Sequence, residues 1–321
     1  MKAWAVLAAL AAGLIARPAN AGDNYALVIT GASGGDAYAA KYDGWRRSFV
    51  TTLRDRFTYP ADHVIVLAEK QEPGVAVATR EQVQRTLANL STRLTKDDLL
   101  VVLLIGHGTL ADSAGREDAK FNLVGPDLTA SEWAGLLKPL AARLVFVDTT
   151  SVSFPFMRQL AAPQRIVVTA TDSSAQEFET VFADWFIKSL TEMAADTDKD
   201  GRVSMLEAFT YASAAVRRSY DEHNQLPTER PLLDDDGDGV GREAQAAGAD
   251  GSLARRTYLQ VAGEPVDAPR RALMARQAAL ERDVDALKAR RSSMPADAYQ
   301  SELERLLLDL AKVSAELRAR P

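Results

Sequence analysis

The sequence predicts an α/β fold in which a mostly parallel sheet is flanked by helices. From Tyr25 to about Leu190, short apolar runs alternate with segments of helical periodicity, and this alternation is typical of parallel sheets covered on both faces. The third run, Asp98–Ile105 (DLLVVLLI), is almost wholly apolar, which indicates a central strand buried on both sides. A chain of 321 residues is long enough to bury a core of this kind.

Local signals place the individual elements. The five predicted strands are all short apolar runs: Tyr25–Thr30, His63–Leu67, Asp98–Ile105, Leu144–Val147 and Arg165–Thr169. Between the first two strands, apolar residues at helical spacing predict a helix over Asp43–Phe57. Thr79 and Thr129 are each followed three residues later by Gln or Glu, which is the spacing of a capping box, so we expect a helix to begin after each threonine.

Ligands of parallel α/β sheets bind at the carboxyl ends of the strands. In this chain those ends are predicted at residues 30–35, 106–108, 148–151 and 170–173. The first of them belongs to Val28–Gly35 (VITGASGG), which resembles the dinucleotide-binding opening of short-chain dehydrogenases. However, Ala37 stands at the third glycine position, and the chain has no Tyr-x-x-x-Lys pair. The sequence therefore does not favour a nicotinamide cofactor.

Two other strand ends carry residues suited to nucleophilic catalysis. His107 lies between two glycines in IGHG after the third strand, and the next strand ends in Asp148-Thr149-Thr150-Ser151. Together these segments resemble the caspase-fold cysteine peptidases, especially the legumain-like branch that includes the catalytic subunit of the GPI transamidase. The resemblance implies that His107 is the general base and that Thr150 occupies the position of the catalytic cysteine. It also implies an oxyanion hole formed by the backbone N–H groups of Gly108 and Thr150.

Threonine at position 150 changes the chemistry that this resemblance implies. A thiol is already partly thiolate near neutral pH, whereas an alcohol must lose its proton during attack and needs an oriented base. The β-methyl of Thr150 also restricts its side-chain rotamers. The sequence thus favours an inactive peptidase fold that acts as a binding or scaffold module. The alternative is an active peptidase or transpeptidase that uses Thr150 or Ser151 with His107.

A twelve-residue segment, which we call acidic loop 1 (residues 196–207), matches the EF-hand calcium-binding pattern. Helical segments are predicted on either side of it, over Phe182–Met193 and Met205–Val216. The candidate ligands are the Asp, Asp, Asp and Glu side chains at loop positions 1, 3, 5 and 12 and the carbonyl at position 7: Asp196, Asp198, Asp200, Glu207 and Arg202. The sequence therefore predicts a calcium site.

A second run of alternating aspartates, acidic loop 2 (residues 234–245), is a weaker match. Its candidate ligands are Asp234, Asp236 and Asp238. Its twelfth position is Gln245, which cannot supply the bidentate carboxylate of an EF-hand loop. Two interpretations stay open: the loop binds its own ion with help from Glu243, or it is a turn without an ion.

The N-terminal residues 1–21 have the pattern of a signal peptide. Lys2 precedes an apolar run from Ala3 to Ile15, and Ala19-Asn20-Ala21 is a small-x-small cleavage signal. We therefore expect export, with the mature protein periplasmic or secreted. The chain has no cysteine, so an exported form has no disulfides. Calcium in the acidic loops would then have a structural role.

The C-terminal segment, residues 269–321, is predicted to be a coiled-coil-like helical hairpin. Apolar residues recur at heptad spacing on both sides of Ser292–Pro295. The hairpin either packs against the caspase-like domain (residues 22–263) or serves as an arm for a partner or for self-association. A protein or peptide partner could also bind at the carboxyl end of the sheet. A net charge of −6, without a clustered basic face, does not favour a nucleic-acid partner, and no run after the signal peptide is long enough to span a membrane.

Overall fold

The structure is a computed structural model that describes residues 22–113, 116–244, 246, 250–260 and 268–319. The predicted signal peptide, Gln245 and the predicted end of the caspase-like domain at residue 263 lie outside the described residues. Among the residues that are described, no helix is long and apolar enough to cross a membrane.

Seven strands form one mixed sheet, and three further strands form a small antiparallel sheet beside it. In chain order the strands are β1 (Asn24–Thr30), β2 (Val64–Ala68), β3 (Val75–Val77), β4 (Leu99–Ile105), β5 (Gly108–Ser113), β6 (Arg116–Phe121), β7 (Leu128–Thr129), β8 (Arg143–Asp148), β9 (Arg165–Thr169) and β10 (Leu232–Asp234). The large sheet has the order β10-β9-β8-β4-β1-β2-β3. All of its neighbouring strands are parallel except β10, which pairs antiparallel with β9.

Helices cover both faces of the large sheet. They are α1 (Asp36–Thr51), α2 (Arg80–Arg93), α3 (Ala130–Leu137), α4 (Phe154–Leu160), α5 (Phe182–Ser189), α6 (Met205–Glu222), α7 (Ala268–Ala289) and α8 (Ala296–Arg318). Helices α1, α5 and α6 contribute to a core on one face, and α2, α3 and α4 contribute to a second core on the other. The predicted mixed α/β class, with a mostly parallel sheet between helices, is confirmed.

Strand β4 is the central strand of the large sheet, and all seven of its residues are buried. Side chains alternate between the two faces of a strand. Accordingly Val101 and Leu103 pack in the first core, while Val102 and Leu104 pack in the second. The near-continuous apolar run seen in the sequence is therefore the consequence of burial on both sides.

Several elements differ from the sequence prediction. Helix α1 begins at Asp36 rather than Asp43, because the intervening DAYAAKY segment is rich in good helix formers. Helix α6 continues beyond the predicted end at Val216 to Glu222, and α5 ends at Ser189, before Met193. The sequence analysis also missed β3, the small sheet β5–β7, helix α4 and strand β10.

The C-terminal helices α7 and α8 pack against each other around an apolar cluster of their own. Its buried members are Leu280, Val284, Leu287, Leu306, Val313 and Leu317. The Asp285 carboxylate of α7 accepts a hydrogen bond from Ser252 and forms an ion pair of 2.8 Å with Arg256. The hairpin therefore contacts the segment that follows acidic loop 2, which corresponds to the first of the two arrangements left open by the sequence.

Candidate functional site

The candidate catalytic residues follow two neighbouring strands of the sheet. The parallel register pairs Leu104 of β4 with Asp148 at the end of β8, and Ile105 of β4 with Thr30 at the end of β1. His107–Gly108 and Thr150–Ser151 therefore leave the sheet at the same edge, where parallel α/β proteins bind their ligands.

The imidazole of His107 is held by groups from β1 and α1. Its Nε2 lies 3.0 Å from the carbonyl oxygen of Ser33. A carbonyl can only accept, so Nε2 carries the proton. The Tyr42 hydroxyl lies 3.4 Å from Nδ1 and 3.2 Å from Nε2, and the Tyr38 ring packs edge-on at 4.9 Å. Burial raises the pKa of Tyr42, which keeps its hydroxyl protonated. The sequence analysis did not identify these orienting groups.

Thr150 is closed off from solvent and bonded inward. Only 1% of the surface of Thr150 is exposed to solvent. The Thr150 hydroxyl donates to Asp148 Oδ1 at 2.7 Å, and the Thr150 N–H donates to the same oxygen at 3.0 Å. Within the described residues no hydrogen bond joins Thr150 to His107. One of the two backbone donors implied for the oxyanion hole, the Thr150 N–H, is thus already occupied by Asp148.

Gly108 allows strand β5 to approach this turn closely. A Cβ atom at position 108 would lie 2.0 Å from the carbonyl oxygen of Ser151 and 2.8 Å from Thr150 Oγ1, so a larger residue would displace the turn. Ser151 is also buried, and its hydroxyl donates to the Gly108 carbonyl at 3.4 Å. The structure thus brings the four predicted residues together, but among the described residues neither hydroxyl makes a hydrogen bond to the His107 imidazole.

Asp148 is the fully buried carboxyl group of this turn. Burial raises its pKa to about 7, although the N–H and hydroxyl of Thr150 oppose the rise by donating to it. Both donors use Oδ1, and Oδ2 has no hydrogen-bond partner. A lone buried carboxylate oxygen is costly, which is why burial favours the protonated form of this group. We assign Asp148 the role of organising the turn.

A cavity of about 260 Å³ adjoins His107 at the ends of β1 and β2. Ser33 and Tyr42, which both bond to His107, form part of its wall, and Asp36 and Glu69 give the wall an acidic character. Glu69 accepts hydrogen bonds from the N–H and hydroxyl of Ser33. The cavity therefore lies beside the groups that hold His107, and α1 forms part of its wall.

Acidic loop 1 gathers three carboxylates, those of Asp196, Asp198 and Glu207, with oxygens within 4.8 Å of one another. Burial and the charges of Asp200 and Glu207 raise the pKa of Asp198 to about 7. The chain reverses at Gly201, which has φ of 88° and donates its N–H to Asp196 at 2.9 Å. Clustered carboxylate oxygens are the donor set that Ca²⁺ prefers, so these residues fit the predicted ion.

The other two residues predicted as ligands in loop 1 are arranged differently. The Asp200 carboxylate lies 3.3 Å from the Arg202 guanidinium and accepts a hydrogen bond from Tyr258 at 3.3 Å. The Arg202 side chain stacks on the Tyr258 ring at 3.7 Å. Asp200 is therefore outside the group of three close carboxylates, and it links the loop to the segment around Tyr258.

Acidic loop 2 gathers Asp234 and Asp236 with Asp250, again with oxygens within 4.8 Å of one another. Asp238 is exposed and its carboxylate accepts the N–H of Val240 at 2.7 Å. Sequence analysis missed Asp250 because it lies beyond the twelve positions of the loop pattern. The signal that identifies it is the folding of the chain back onto β10.

No protein-family model matches the chain, and no curated protein matches it. Among solved structures, protein GSU0716 from Geobacter sulfurreducens is similar over 66% of this chain and 92% of its own, with 16% identity and a TM-score of 0.43. Caspase-1 from Spodoptera frugiperda is similar over 67% of this chain and 87% of its own, with 11% identity and a TM-score of 0.43. At this level neither similarity assigns a function or a site residue.

The closed turn can be tested with single cysteines, because the natural chain has none. We expect Thr150→Cys to react with a small thiol reagent at least about a hundred-fold more slowly than Thr109→Cys in the folded protein, since position 150 is buried and position 109 is exposed. In denaturant the two rates should converge. Equal rates in the folded protein would show that the turn is open to solvent.

The buried carboxyl of Asp148 should make stability depend on pH. Between its ordinary value of 3.8 and the folded pKa of about 7, the folded protein keeps a proton that the unfolded chain has lost. The stabilisation is complete below about pH 4 and is lost as the pH rises through 7, at up to about 1.4 kcal/mol per pH unit. Asp148→Asn keeps an acceptor for Thr150 but does not titrate, so urea unfolding should show a weaker pH dependence. An unchanged pH profile in this variant would contradict the assignment.

Proposed function

We propose that this chain is an exported, calcium-binding protein with a caspase-like, legumain-related fold that has lost peptidase activity and acts as a binding or scaffold module. The observation that carries the proposal is the closed turn at Thr150. The residue in the position of the nucleophile is buried, and its hydroxyl donates to Asp148 rather than to His107.

The fold part of the proposal is supported by the placement of the two motifs. The His-Gly turn follows β4 and the Asp-Thr-Thr turn follows β8, and these strands are parallel neighbours. The residues implied by the legumain-like resemblance therefore meet at one edge of the sheet. Residues 1–21, with their cleavage signal, support export to the periplasm or beyond the cell.

The loss of activity follows from proton chemistry. Attack by a hydroxyl requires a base within hydrogen-bond reach of that hydroxyl. With the proton on Nε2, the lone pair of the His107 imidazole is on Nδ1, which lies 3.4 Å from the Tyr42 hydroxyl. Among the described residues Thr150 makes no hydrogen bond to His107, and its hydroxyl donates to Asp148 instead. Asp148 and Thr150 are both buried, so a substrate carbonyl could not reach the hydroxyl without opening of the turn.

A second candidate is an active peptidase or transpeptidase that uses Thr150 or Ser151 with His107. Its supporting observation is the close backbone approach of Gly108 to Ser151 and Thr150, which places both hydroxyl residues next to the residue after His107. This activity would require the turn to open and the Thr150 hydroxyl to exchange Asp148 for His107.

The proposal includes calcium because the carboxylates of acidic loop 1 form a donor set that suits this ion. Asp196, Asp198 and Glu207 would supply the ligating oxygens, and the ion would offset the repulsion among them. Loop 1 joins α5 to α6, which pack against each other and against the sheet. An ion at this position would therefore stabilise the junction of two core helices in a protein without disulfides.

The partner of such a module would be a protein or peptide. The acidic cavity beside His107 is a concave surface at the carboxyl end of the sheet, where a peptide could bind without being cleaved. The exposed sides of the α7–α8 hairpin offer a second surface. The acidic wall of the cavity does not favour a nucleic-acid partner at that surface.

Catalytic inactivity is tested by a screen of peptide and ester substrates in the presence of calcium. We expect the unmodified protein to give the same background rate as Thr150→Ala, Ser151→Ala and His107→Ala, because no activated nucleophile is present. Circular dichroism of each variant controls for folding. Turnover by the unmodified protein that disappears in these variants would instead establish the active alternative.

Calcium binding at loop 1 is tested by thermal unfolding with and without a chelator. We expect calcium at about a hundred times its Kd to stabilise the protein by about 2.7 kcal/mol. Glu207→Gln should lose the part of this response that comes from loop 1, while Gln retains the capping box with Ser204. Glu222→Gln at the other end of α6 is the matched control and should respond like the natural protein. A melting temperature insensitive to chelator would refute calcium binding.

A further inference from the structure

Acidic loop 2 lacks a bidentate ligand within its own pattern. Glu243, the residue considered from sequence, is 42% exposed in its side chain and faces Arg217 at 3.7 Å. It is not one of the described carboxylates that gather around Asp234 and Asp236. Asp238 is also outside this group, and the third carboxylate beside Asp234 and Asp236 comes from beyond the loop.

Asp250 is placed to be that ligand. It offers an oxygen within 4.8 Å of the oxygens of Asp234 and Asp236, and its side chain is only 4% exposed. Oδ1 accepts the N–H of Asp235 at 3.0 Å, whereas Oδ2 is buried and has no hydrogen-bond partner. A buried carboxylate oxygen without a donor is unfavourable unless a cation compensates it.

Arg242 compensates this oxygen only in part. Its Nε lies 3.3 Å from Asp250 Oδ2, but neither atom makes a hydrogen bond. The ion pair of Arg242 is with Asp250 alone, whereas Asp250 belongs to a group of three carboxylates. The neighbouring Asp235 does not belong to this group of carboxylates; its two oxygens accept the N–H groups of Gly251 and Ala254 at 2.8 and 2.6 Å.

The backbone of acidic loop 2 turns around its first aspartate in the same way as the backbone of acidic loop 1. In both loops the N–H five residues after the first aspartate donates to that aspartate, from Gly201 to Asp196 at 2.9 Å and from Gly239 to Asp234 at 2.6 Å. These bonds turn the chain around the first carboxylate. They leave the oxygens of Asp236 and Asp250 to face the same space as Asp234.

We propose that Asp250, together with Asp234 and Asp236, binds a second calcium ion. This inference deepens the proposed calcium binding and rests on it. The hard, all-carboxylate donor set suits Ca²⁺, and the buried oxygen of Asp250 gives the ion a ligand outside the loop pattern. The ion would tie the end of β10 to the segment Asp250–Gln260.

Counting bound ions tests the proposal. The protein, stripped with chelator, is titrated with Ca²⁺ by equilibrium dialysis and calorimetry. We expect two ions per chain for the natural protein, one for Asp250→Asn, one for Glu207→Gln and none for the double variant. Asn keeps the acceptor for the Asp235 N–H. Asp236→Asn should also bind one ion. Because Asp236 is exposed, this variant tests the same site without changing a buried residue. Circular dichroism checks that Asp250→Asn is folded.

Two variants define what would overturn the proposal. Glu243→Gln should still bind two ions, and exposed Asp221→Asn on α6 is the matched control with the same result. Two ions in Asp250→Asn, or loss of one in Glu243→Gln alone, would refute Asp250 as the ligand. One ion in the natural protein that is lost in Glu207→Gln and kept in Asp250→Asn would leave the proposed function standing and remove this site. No binding at all would refute both.

Discussion

The burial of β4 on both faces is the constraint on which the rest of the structure depends. Seven consecutive buried residues need apolar cover from both sides, which α1, α5 and α6 provide on one face and α2, α3 and α4 on the other. Because the strands beside β4 run parallel to it, their carboxyl ends meet at one edge. The polar residues that follow β1, β4 and β8 are neighbours in space for this reason.

Within that edge, the turn after β8 is organised around a carboxyl group that has almost no access to solvent. Asp148 needs donors, and Thr150 supplies two of them. A thiol is a weak donor, so a cysteine at position 150 would satisfy Asp148 less well than the hydroxyl does. Threonine therefore has a structural reason to occupy this position. The same hydrogen bond that stabilises the turn removes the hydroxyl from reach of His107.

The sequence was sufficient for features that depend on local pattern. The apolar runs located five strands, and the register of those strands brings the residues around His107 and after Val147 to one edge of the sheet. Features that depend on contacts between distant segments could not be predicted. Ser33 reaches His107 from another strand end, and Asp250 joins loop 2 from outside its pattern. The β5–β6 hairpin was missed because its charged residues, as in REDAKF, hide the alternation of a strand.

The segment Asp250–Gln260 shows how the chain connects its parts without disulfides. It has a single short 3₁₀ turn, Ala254–Arg256, yet polar contacts fix it at several points. Thr257 accepts the N–H of Met205 at 2.8 Å beside loop 1, and Leu259 accepts the Tyr59 hydroxyl at 2.8 Å.

The remaining contacts of this segment reach loop 2 and the hairpin. Asp235 binds the N–H groups at its beginning, and Arg256 pairs with Asp285 of α7. Each contact alone contributes little, since a hydrogen bond adds about 1 kcal/mol net. Ions proposed in the two acidic loops would fasten both of the places where this segment meets the core. The same two ions would then account for the dependence of the fold on calcium and for the position of the α7–α8 hairpin.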